Sequence, residues 1–377
     1  MKIALVVPGG VDRSGEYRVI PALLALIERL AVRHEVHVFA LRQEPHPATW
    51  TLRQARVHNI GVGFTRLRGV RAILTQHRRV GGFDLVQSVF SGACGLVAVC
   101  SARLLRIPSV VHVAGGEPVS MPDIAFGGRL TWRGRWQEAV VMAGAAAVTA
   151  ASEPELELLS MVGVAARRVP LGVDHIRDWP AREPVARGAG EPARLIHVAS
   201  LNRVKDQPTL LRAVARLASG HPEVRLDIVG DDTLGGEMQR LTATLGLAER
   251  VRFHGFLTQR QLHPLMQQAH VSVICSRHEA GPVAVLEAAA VGVPTVGTAV
   301  GHIAELASDA AIAVPVADAE ALAAALDRVL RDEPLRLRLA RAAWLWALRE
   351  DADYTAACFE RLYTELLQRP LTASPSR

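Results

Sequence analysis

Glu279 and Glu287 are the acidic residues whose spacing best suits chemistry on a bound molecule, since they stand eight positions apart between two apolar runs. A carboxylate accepts hydrogen bonds from hydroxyl groups, so the pair suits a sugar or a ribose. Gly281 and Pro282 precede a helical pattern, and the unpaired N–H groups at a helix start attract an anion. The segment indicates a site for an anionic sugar compound, although two solvated acids on a surface helix would show the same spacing.

A rare lysine provides the second candidate. Lysine occurs only at Lys2 and Lys205 among 43 basic residues, and Lys205 follows an apolar run at 195–199 that predicts a strand. A compact ammonium on a flexible stem suits a single phosphate oxygen better than a planar guanidinium does. Ser200 and Arg203 share this loop, and Arg203 either assists Lys205 or is solvated.

Two glycine-containing loops follow predicted strands in the first half. Gly10 and Gly15 lie after the first strand, where a backbone without Cβ atoms can approach a phosphate closely, and a plain tight turn is the equal alternative. The loop does not match the dinucleotide-binding pattern G-x-G-x-x-G. The second loop carries four candidates for contact with an acceptor or a donor sugar: His112, Gly115, Gly116 and Glu117. A purely structural role for His112 is left open.

The elements that must position these residues form two successive alternations of short apolar runs and helical patterns. This alternation predicts an α/β fold of two Rossmann-like doubly wound domains facing a central cleft. Ligands bind beyond the carboxyl ends of parallel strands, so the chemistry is expected in the cleft. The predicted strands are 3–7, 34–40, 83–89, 109–114 and 146–151, then 195–199, 224–229, 251–254, 271–275, 294–297 and 311–314.

Domain boundaries follow from a segment rich in Pro and Gly at 176–193, which predicts a linker or a long loop. We predict a first domain at 1–171 and a second domain at 172–348. The remaining residues, 349–377, should form a helix that crosses back to the first domain and a polar tail at 369–377 that is disordered.

Composition excludes several classes of protein. The four cysteines lack the spacing of a zinc site or a disulfide framework, and Asp231 with Asp232 suggests a metal only faintly. No segment has the length of a signal sequence or a membrane span, which predicts a soluble, cytoplasmic protein. The net charge of +6 permits contact with nucleic acid, anionic lipid or nucleotide substrates and selects none of them.

A basic stretch at 66–79 predicts an amphipathic helix with Leu67, Val70, Ile73 and Leu74 facing inward. Because no aromatic residues are interleaved with its arginines, nucleic acid is not expected as a partner. A solvated face is the ordinary interpretation, and a peripheral contact with anionic lipid at the inner membrane face is left open.

Taken in order along the chain, these segments resemble the retaining nucleotide-sugar glycosyltransferases of family 4, which have the two-domain fold called GT-B. The resemblance covers nearly the whole chain. It is carried by Ser14-Gly15 with Arg18 and by five further segments: 169–174, 201–206, 251–256, 301–305 and 362–367, together with the Glu279 and Glu287 pair.

The resemblance implies that 1–171 is the acceptor-side domain and that 172–348 is the nucleotide-sugar-binding domain. It also implies a role for each matching residue. Lys205 would contact the donor diphosphate, Glu287 the ribose hydroxyls, and Glu279 the donor sugar, while Gly15 would lie against the diphosphate from the other domain. The backbone of Gly281, Pro282 and Val283 would also hold the sugar. The catalytic set would be Glu279, Lys205 and His112.

The chain departs from the family pattern at two places. The family usually has Gly-Arg where this chain has Ala199 and Ser200, so that a second phosphate cation is missing unless Arg203 substitutes. The family often has histidine at the position of Ala114, and His112 is the candidate to take its role.

The implied reaction is sugar transfer from a nucleoside-diphosphate sugar to an acceptor hydroxyl, with retained anomeric configuration and with no metal or other cofactor. The acceptor would be a glycan, a lipid-linked compound or a small molecule, and neither the sugar, the base nor the oligomeric state is encoded in a recognisable pattern. An epimerase or a phosphorylase on the same fold is the nearest alternative, and a basic membrane-surface protein without catalysis is the alternative from another class.

Overall fold

The computed structural model describes residues 1–188 and 190–368, and the tail predicted at 369–377 lies outside them. The strands form two separate sheets, and helices connect successive strands. The α/β fold with two Rossmann-like sheets is therefore confirmed. Most predicted strands match observed ones within one or two residues, and the run at 311–314 has the same bounds.

The first sheet has eight strands in the order β3-β4-β2-β1-β5-β6-β7-β8. All neighbours are parallel except β3 and β4, which are antiparallel. Its strands are β1 (Lys2–Val7), β2 (Glu35–Ala40), β3 (Ala48–Leu52), β4 (Ala55–Asn59), β5 (Leu85–Val89), β6 (Ser109–Val113), β7 (Ala147–Ala150) and β8 (Arg167–Arg168). Its helices are α1 (Pro21–Arg33), α2 (Thr65–Arg79), α3 (Ala93–Leu105), α4 (Trp132–Gly144) and α5 (Glu153–Met161).

The second sheet has six parallel strands in the order β11-β10-β9-β12-β13-β14. They are β9 (Arg194–Val198), β10 (Arg225–Val229), β11 (Val251–Gly255), β12 (Val271–Ile274), β13 (Thr295–Thr298) and β14 (Ala311–Val314). The helices are α6 (Gln207–Leu217), α7 (Glu237–Thr244), α8 (Gln259–Gln267), α9 (Val283–Ala290), α10 (Gly301–Glu305), α11 (Ala319–Arg331) and α12 (Glu333–Arg349), followed by α13 (Ala352–Gln368).

Helix α13 crosses back to the first sheet, as the sequence predicted. Phe359 and Tyr363 are fully buried in the core of the first half, and the Tyr363 hydroxyl donates a hydrogen bond to Oε1 of Gln87 on β5. Gly172 allows this crossing, because a Cβ atom there would lie 2.2 Å from the backbone of Asp351. The two halves of the chain are thus joined at 172 and again through α13.

The segment predicted as a linker is anchored by a tryptophan. Trp179 is buried, and its Nε1 donates a hydrogen bond to the Glu287 carbonyl oxygen over 2.8 Å. A buried indole with a satisfied N–H fixes the chain that carries it. The 176–193 segment contains no helix or strand among its described residues, but its first part packs directly on the helix that carries Glu287.

Candidate active site

Lys205 and Glu279 form the centre of the site. The Nζ atom of Lys205 lies 2.5 Å from Oε1 of Glu279, and both side chains are largely buried. Lys205 ends a short 3-10 turn after β9, and Glu279 lies in the loop after β12, the strand that pairs with β9. A backbone hydrogen bond of 2.7 Å from Arg277 N to the Val204 oxygen ties the two loops together. Parallel pairing therefore brings an ammonium and a carboxylate together at the carboxyl ends of two neighbouring strands.

Glu279 is held in position by a second donor. The Ser276 hydroxyl donates to the same Oε1 atom over 2.6 Å, so that this oxygen accepts both a hydroxyl and an ammonium hydrogen bond. Lys205 carries three N–H donors, and two remain for another acceptor. The pair can therefore receive an anionic oxygen without losing its own contact.

Glu287 lies on the buried face of α9. Its carboxylate accepts a hydrogen bond from Nε2 of Gln259 over 3.1 Å. Burial raises the pKa of Glu287 to about 7, and the Gln259 hydrogen bond opposes this shift. A buried carboxylate with one partner has capacity for further donors, such as hydroxyl groups.

The loop ahead of α9 is packed between the two halves of the chain. A Cβ atom on Gly281 would lie 2.5 Å from Cβ of Ala151 and 3.0 Å from Nε2 of His302, so glycine is required by space. Pro282 caps α9 and Val283 is its first residue. The first N–H groups of such a helix have no acceptor within the helix and point toward the loop side.

The Gly10–Gly15 loop faces the second half across the cleft. Two contacts join it to the α8 region: Glu16 pairs with Arg260 over 3.0 Å, and the Tyr17 ring lies 6.3 Å from that of Phe256. Gly15 has φ +69, which favours glycine. A Cβ atom added at this position would have only the Leu52 side chain within 4 Å, so the space around Gly15 is open. Gln259, the partner of Glu287, is adjacent to Arg260, so Glu287 and the residue that follows this loop both contact the start of α8.

The loop at 115–117 contacts the same cleft from the first half. The Glu117 carboxylate accepts a hydrogen bond from Ser91 N over 3.1 Å. Burial raises the pKa of Glu117, and several backbone N–H donors, including that of Gly115, oppose this. Gly116 is required by space, because a Cβ atom would lie 2.4 Å from the Phe126 ring.

Sequence reasoning missed the histidine and the acids that pack against this loop. His278 Nε2 lies 3.9 Å from Oε2 of Glu155, and the His278 ring lies 6.2 Å from that of Phe126. Burial raises the pKa of Glu155 to about 8, with further contributions from the charges of Glu117 and Glu138. The adjacency of His278 to Glu279 was the one available signal, whereas Glu155 lies on an ordinary helical pattern.

The structure corrects the prediction for His112. Its side chain is fully buried, its Nδ1 atom bonds to the Thr149 hydroxyl over 2.9 Å, and its ring packs edge-on against Phe359 of α13. Burial lowers the pKa of His112 to about 3. His112 is therefore a neutral core residue that does not reach the cleft. The reason is that Phe359 of α13 packs against the His112 ring.

Arg203 and Ser200 point to local partners. Arg203 forms a two-pronged ion pair with Glu237 at 2.8 and 2.7 Å on the surface. The Ser200 hydroxyl accepts a hydrogen bond from Nδ2 of Asn202 over 3.1 Å. Lys205 is thus the cation of this loop that contacts the Glu279 carboxylate.

One group of acids among the described residues has spacing compatible with a metal ion: Glu28, Asp174 and Asp178, whose ligand atoms lie within 4.8 Å of one another. Arginines already pair with these oxygens. Arg53 binds both Glu28 and Asp178, each at 3.0 Å, and Arg29 binds Asp174 at 2.7 Å. The charges are therefore balanced by guanidinium groups, and the group is a structural ion-pair network joining α1 to the 174–178 segment.

Solved structures with the same architecture define the fold of the protein. The sucrose-phosphate synthase of Thermosynechococcus elongatus superposes with a TM-score of 0.79 at 20% identity, over 97% of this chain and 99% of that one. HepE of Anabaena, solved with UDP-glucose, gives a TM-score of 0.74 at 19% identity, over 97% and 100% of the two chains. The chain has the GT-B fold.

Sequence comparison identifies the family. The family described as "Glycosyltransferase Family 4" matches residues 22–177, and "Glycosyl transferases group 1" matches residues 183–346. A D-inositol 3-phosphate glycosyltransferase of Geodermatophilus obscurus is 31% identical over 309 residues, 74% of this chain and 68% of that protein. The chain belongs to the family 4 glycosyltransferases of GT-B fold. Matches to three other curated relatives span 52%, 75% and 41% of their own lengths.

Within residues 1–188 and 190–368, no helix combines the length and the apolar character needed to cross a bilayer.

Proposed function

We propose that this glycosyltransferase transfers a sugar from a nucleoside-diphosphate sugar to an acceptor hydroxyl, retains the anomeric configuration and needs no metal ion. The contact between Lys205 and Glu279, ahead of the start of α9, carries the proposal. This arrangement sets a cation and free N–H groups where a diphosphate can bind, beside a carboxylate that can hold sugar hydroxyls.

Each group receives a role on this proposal. Lys205 and the start of α9 hold the diphosphate, with Gly15 approaching it from the first half. Glu287 accepts the ribose hydroxyls, and Glu279 with the backbone of 281–283 holds the sugar. Glu117 and its loop face the acceptor side.

The chemistry follows from the charge that develops during transfer. The bond between the anomeric carbon and the diphosphate oxygen breaks, a bond from that carbon to the acceptor oxygen forms, and the acceptor proton passes to the departing phosphate. Lys205 and the α9 N–H groups stabilise the negative charge on the leaving diphosphate. Glu279 stabilises the positive charge on the sugar ring. Because an ammonium and backbone amides supply the stabilisation, we propose that no metal is required.

The ligands bound in similar structures support the choice of donor. HepE was solved with UDP, with UDP and glucose, and with UDP-glucose, and a trehalose-6-phosphate protein of E. coli was solved with UDP-2-fluoro glucose. Curated relatives are named for different acceptors, among them inositol 3-phosphate and glycogen. A UDP-sugar is therefore the first donor to test.

The test combines binding, product analysis and a matched variant. A thermal-shift panel of UDP, GDP, ADP and dTDP with their sugar conjugates identifies the donor, and NMR of the product gives the anomeric configuration. Lys205→Ala should lower turnover by roughly a hundredfold or more, whereas Lys2→Ala, at the only other lysine, should not. Turnover should also survive a metal chelator. Wild-type turnover in Lys205→Ala would refute the role of Lys205. A product with inverted anomeric configuration would refute retention, and loss of turnover in the chelator would refute metal independence. Release of a free epimerised nucleotide sugar would refute sugar transfer.

A further inference from the structure

The starts of α2 and α4 expose large apolar side chains that the sequence pattern did not predict to be exposed together. Leu67, predicted to face inward, is 72% exposed, and the neighbouring Phe64 is 87% exposed. Trp132 and Trp136 on α4 are 67% and 62% exposed. Isolated surface residues of this kind are ordinary, but four of them on adjoining elements form a patch.

A groove joins the two helix starts into one surface. Its volume is about 710 Å³, and its walls include Arg66 from α2, Leu96 from α3 and both tryptophans of α4. Helix α3 packs between the other two helices. We call the exposed set Phe64, Arg66, Leu67, Trp132, Arg133 and Trp136 the α2–α4 surface.

The charge on this surface has one sign. Helix α2 carries five arginines and no acidic residue, and no Asp or Glu occurs between residues 45 and 83. Arg66, Arg71 and Arg133 are exposed, and no carboxylate of the described residues lies within 4.0 Å of their guanidinium nitrogens. The acid of α4, Glu138, is buried and faces Arg129. The exposed charge is therefore available to an anionic partner.

We propose that the α2–α4 surface docks on an anionic lipid bilayer. Tryptophan rings, which are apolar but carry a polar N–H, lie at the level of lipid headgroups, and phenylalanine and leucine side chains bury in the apolar boundary below them. Arginines around them are attracted to negatively charged headgroups. The exposed Leu67 favours a bilayer over a nucleic acid, because an aliphatic side chain gains free energy by leaving water and cannot stack on a base.

The position of the surface gives the docking a consequence for the reaction. Helix α2 follows the carboxyl end of β4, and helix α4 follows the carboxyl end of β6. The loop at 115–117 lies at this same end of the sheet. A bilayer bound there lies beside the acceptor side of the cleft. The proposal therefore assigns the acceptor to compounds carried at a lipid surface, and this part rests on the proposed function.

Vesicle co-sedimentation of the whole chain tests the docking with no donor or acceptor present, so its outcome is independent of the transfer chemistry. The protein should bind vesicles of phosphatidylglycerol and phosphatidylcholine and should not bind phosphatidylcholine alone. Binding should weaken at about 0.5 M salt, because the Debye length is then only a few Å and the attraction between arginines and headgroups is screened. Equal binding to both vesicle types, or binding to neither, would overturn the proposal.

Variants locate the binding surface. Trp132→Ala with Trp136→Ala, and separately Arg66→Glu with Arg133→Glu, should each weaken binding by about tenfold or more. The matched controls are Met161→Ala with Ile176→Ala, which remove other exposed apolar residues, and Arg328→Glu with Arg338→Glu, which make the same charge change elsewhere. All four should keep the wild-type melting temperature. If the controls lose as much binding, or if a mixed-sequence RNA displaces the protein from vesicles through the same residues, the bilayer assignment is wrong.

Discussion

The Ser152 hydroxyl donates a hydrogen bond to the Ala280 carbonyl oxygen over 2.5 Å, and this contact joins the two halves of the chain beside Glu279. Ser152 follows β7 of the first sheet, whereas Ala280 lies in the loop after β12 of the second. Both residues are buried. The loop that we propose to hold the donor sugar is therefore positioned by residues 128 positions away in sequence.

Gly281→Ala tests this packing. The new Cβ atom would lie 2.5 Å from Ala151 Cβ, so the two halves must separate or the loop must shift. We expect turnover to fall by roughly tenfold or more, and the free energy of unfolding to fall by about 1–3 kcal/mol, the usual cost of overpacking. Gly188→Ala is the control, because its Cβ atom would only meet Glu191 at 3.4 Å. Wild-type turnover in Gly281→Ala would mean that this close packing is not used in catalysis.

Nucleotide binding should depend on the ionisation of Glu287. Burial raises its pKa to about 7, and the charged carboxylate accepts ribose hydroxyls better than the acid does. We expect the affinity for UDP to rise by roughly tenfold between about pH 6 and about pH 8, because the ionised fraction rises by that factor. Calorimetry with UDP measures it.

Glu287→Gln should bind UDP more weakly and lose this pH dependence, whereas Glu320→Gln, at an exposed site, should retain it. An unchanged profile in Glu287→Gln would assign the titration to another group.

Because of Glu155, the free energy of unfolding should fall as the pH rises. Burial raises its pKa from 4.5 to about 8, so the folded protein holds a proton that the unfolded chain releases. Its contribution to stability is full below about pH 4.5 and is lost as the pH approaches 8, with a slope of up to about 1.4 kcal/mol per pH unit. Glu155→Gln should therefore gain stability relative to wild type across this range, as measured by urea unfolding.

The neighbouring exposed acid provides the control for Glu155. Glu157→Gln should track the wild type at every pH, because its carboxylate is solvated in both states. A constant difference between Glu155→Gln and wild type would show that Glu155 does not titrate in this range.

Phe359→Ala should destabilise the first half of the chain, although residue 359 lies far from it in sequence. Phe359 is fully buried in that core, and truncation of a buried phenylalanine costs about 3–5 kcal/mol in the free energy of unfolding. Tyr354→Ala, on the same helix and 37% exposed, should cost much less. Chemical denaturation of both variants gives the comparison, and similar losses would contradict the assigned packing of α13.

Local patterns predicted the strands that are buried on both faces. The run at 3–7 in β1 is apolar throughout and is followed by Pro8, and β1 was found within one residue of the predicted bounds. The antiparallel edge pair β3 and β4 was missed, because its exposed and polar positions resemble a loop. Edge strands lack the continuous apolar signal that burial on two faces produces.

The sequence by itself determined the alternating α/β fold and the residue types at the strand ends, including the isolated Lys205 and the spaced Glu279 and Glu287. Only the tertiary structure decided that the His112 ring packs against Phe359 of α13, that Trp179 anchors the linker to α9, and that Leu67 is exposed at the start of α2. Periodicity records which face of an element is apolar, but the environment of that face is set by elements distant in sequence. For this reason the strands and the residue types at their ends could be predicted from local residues, whereas the burial of single side chains could not.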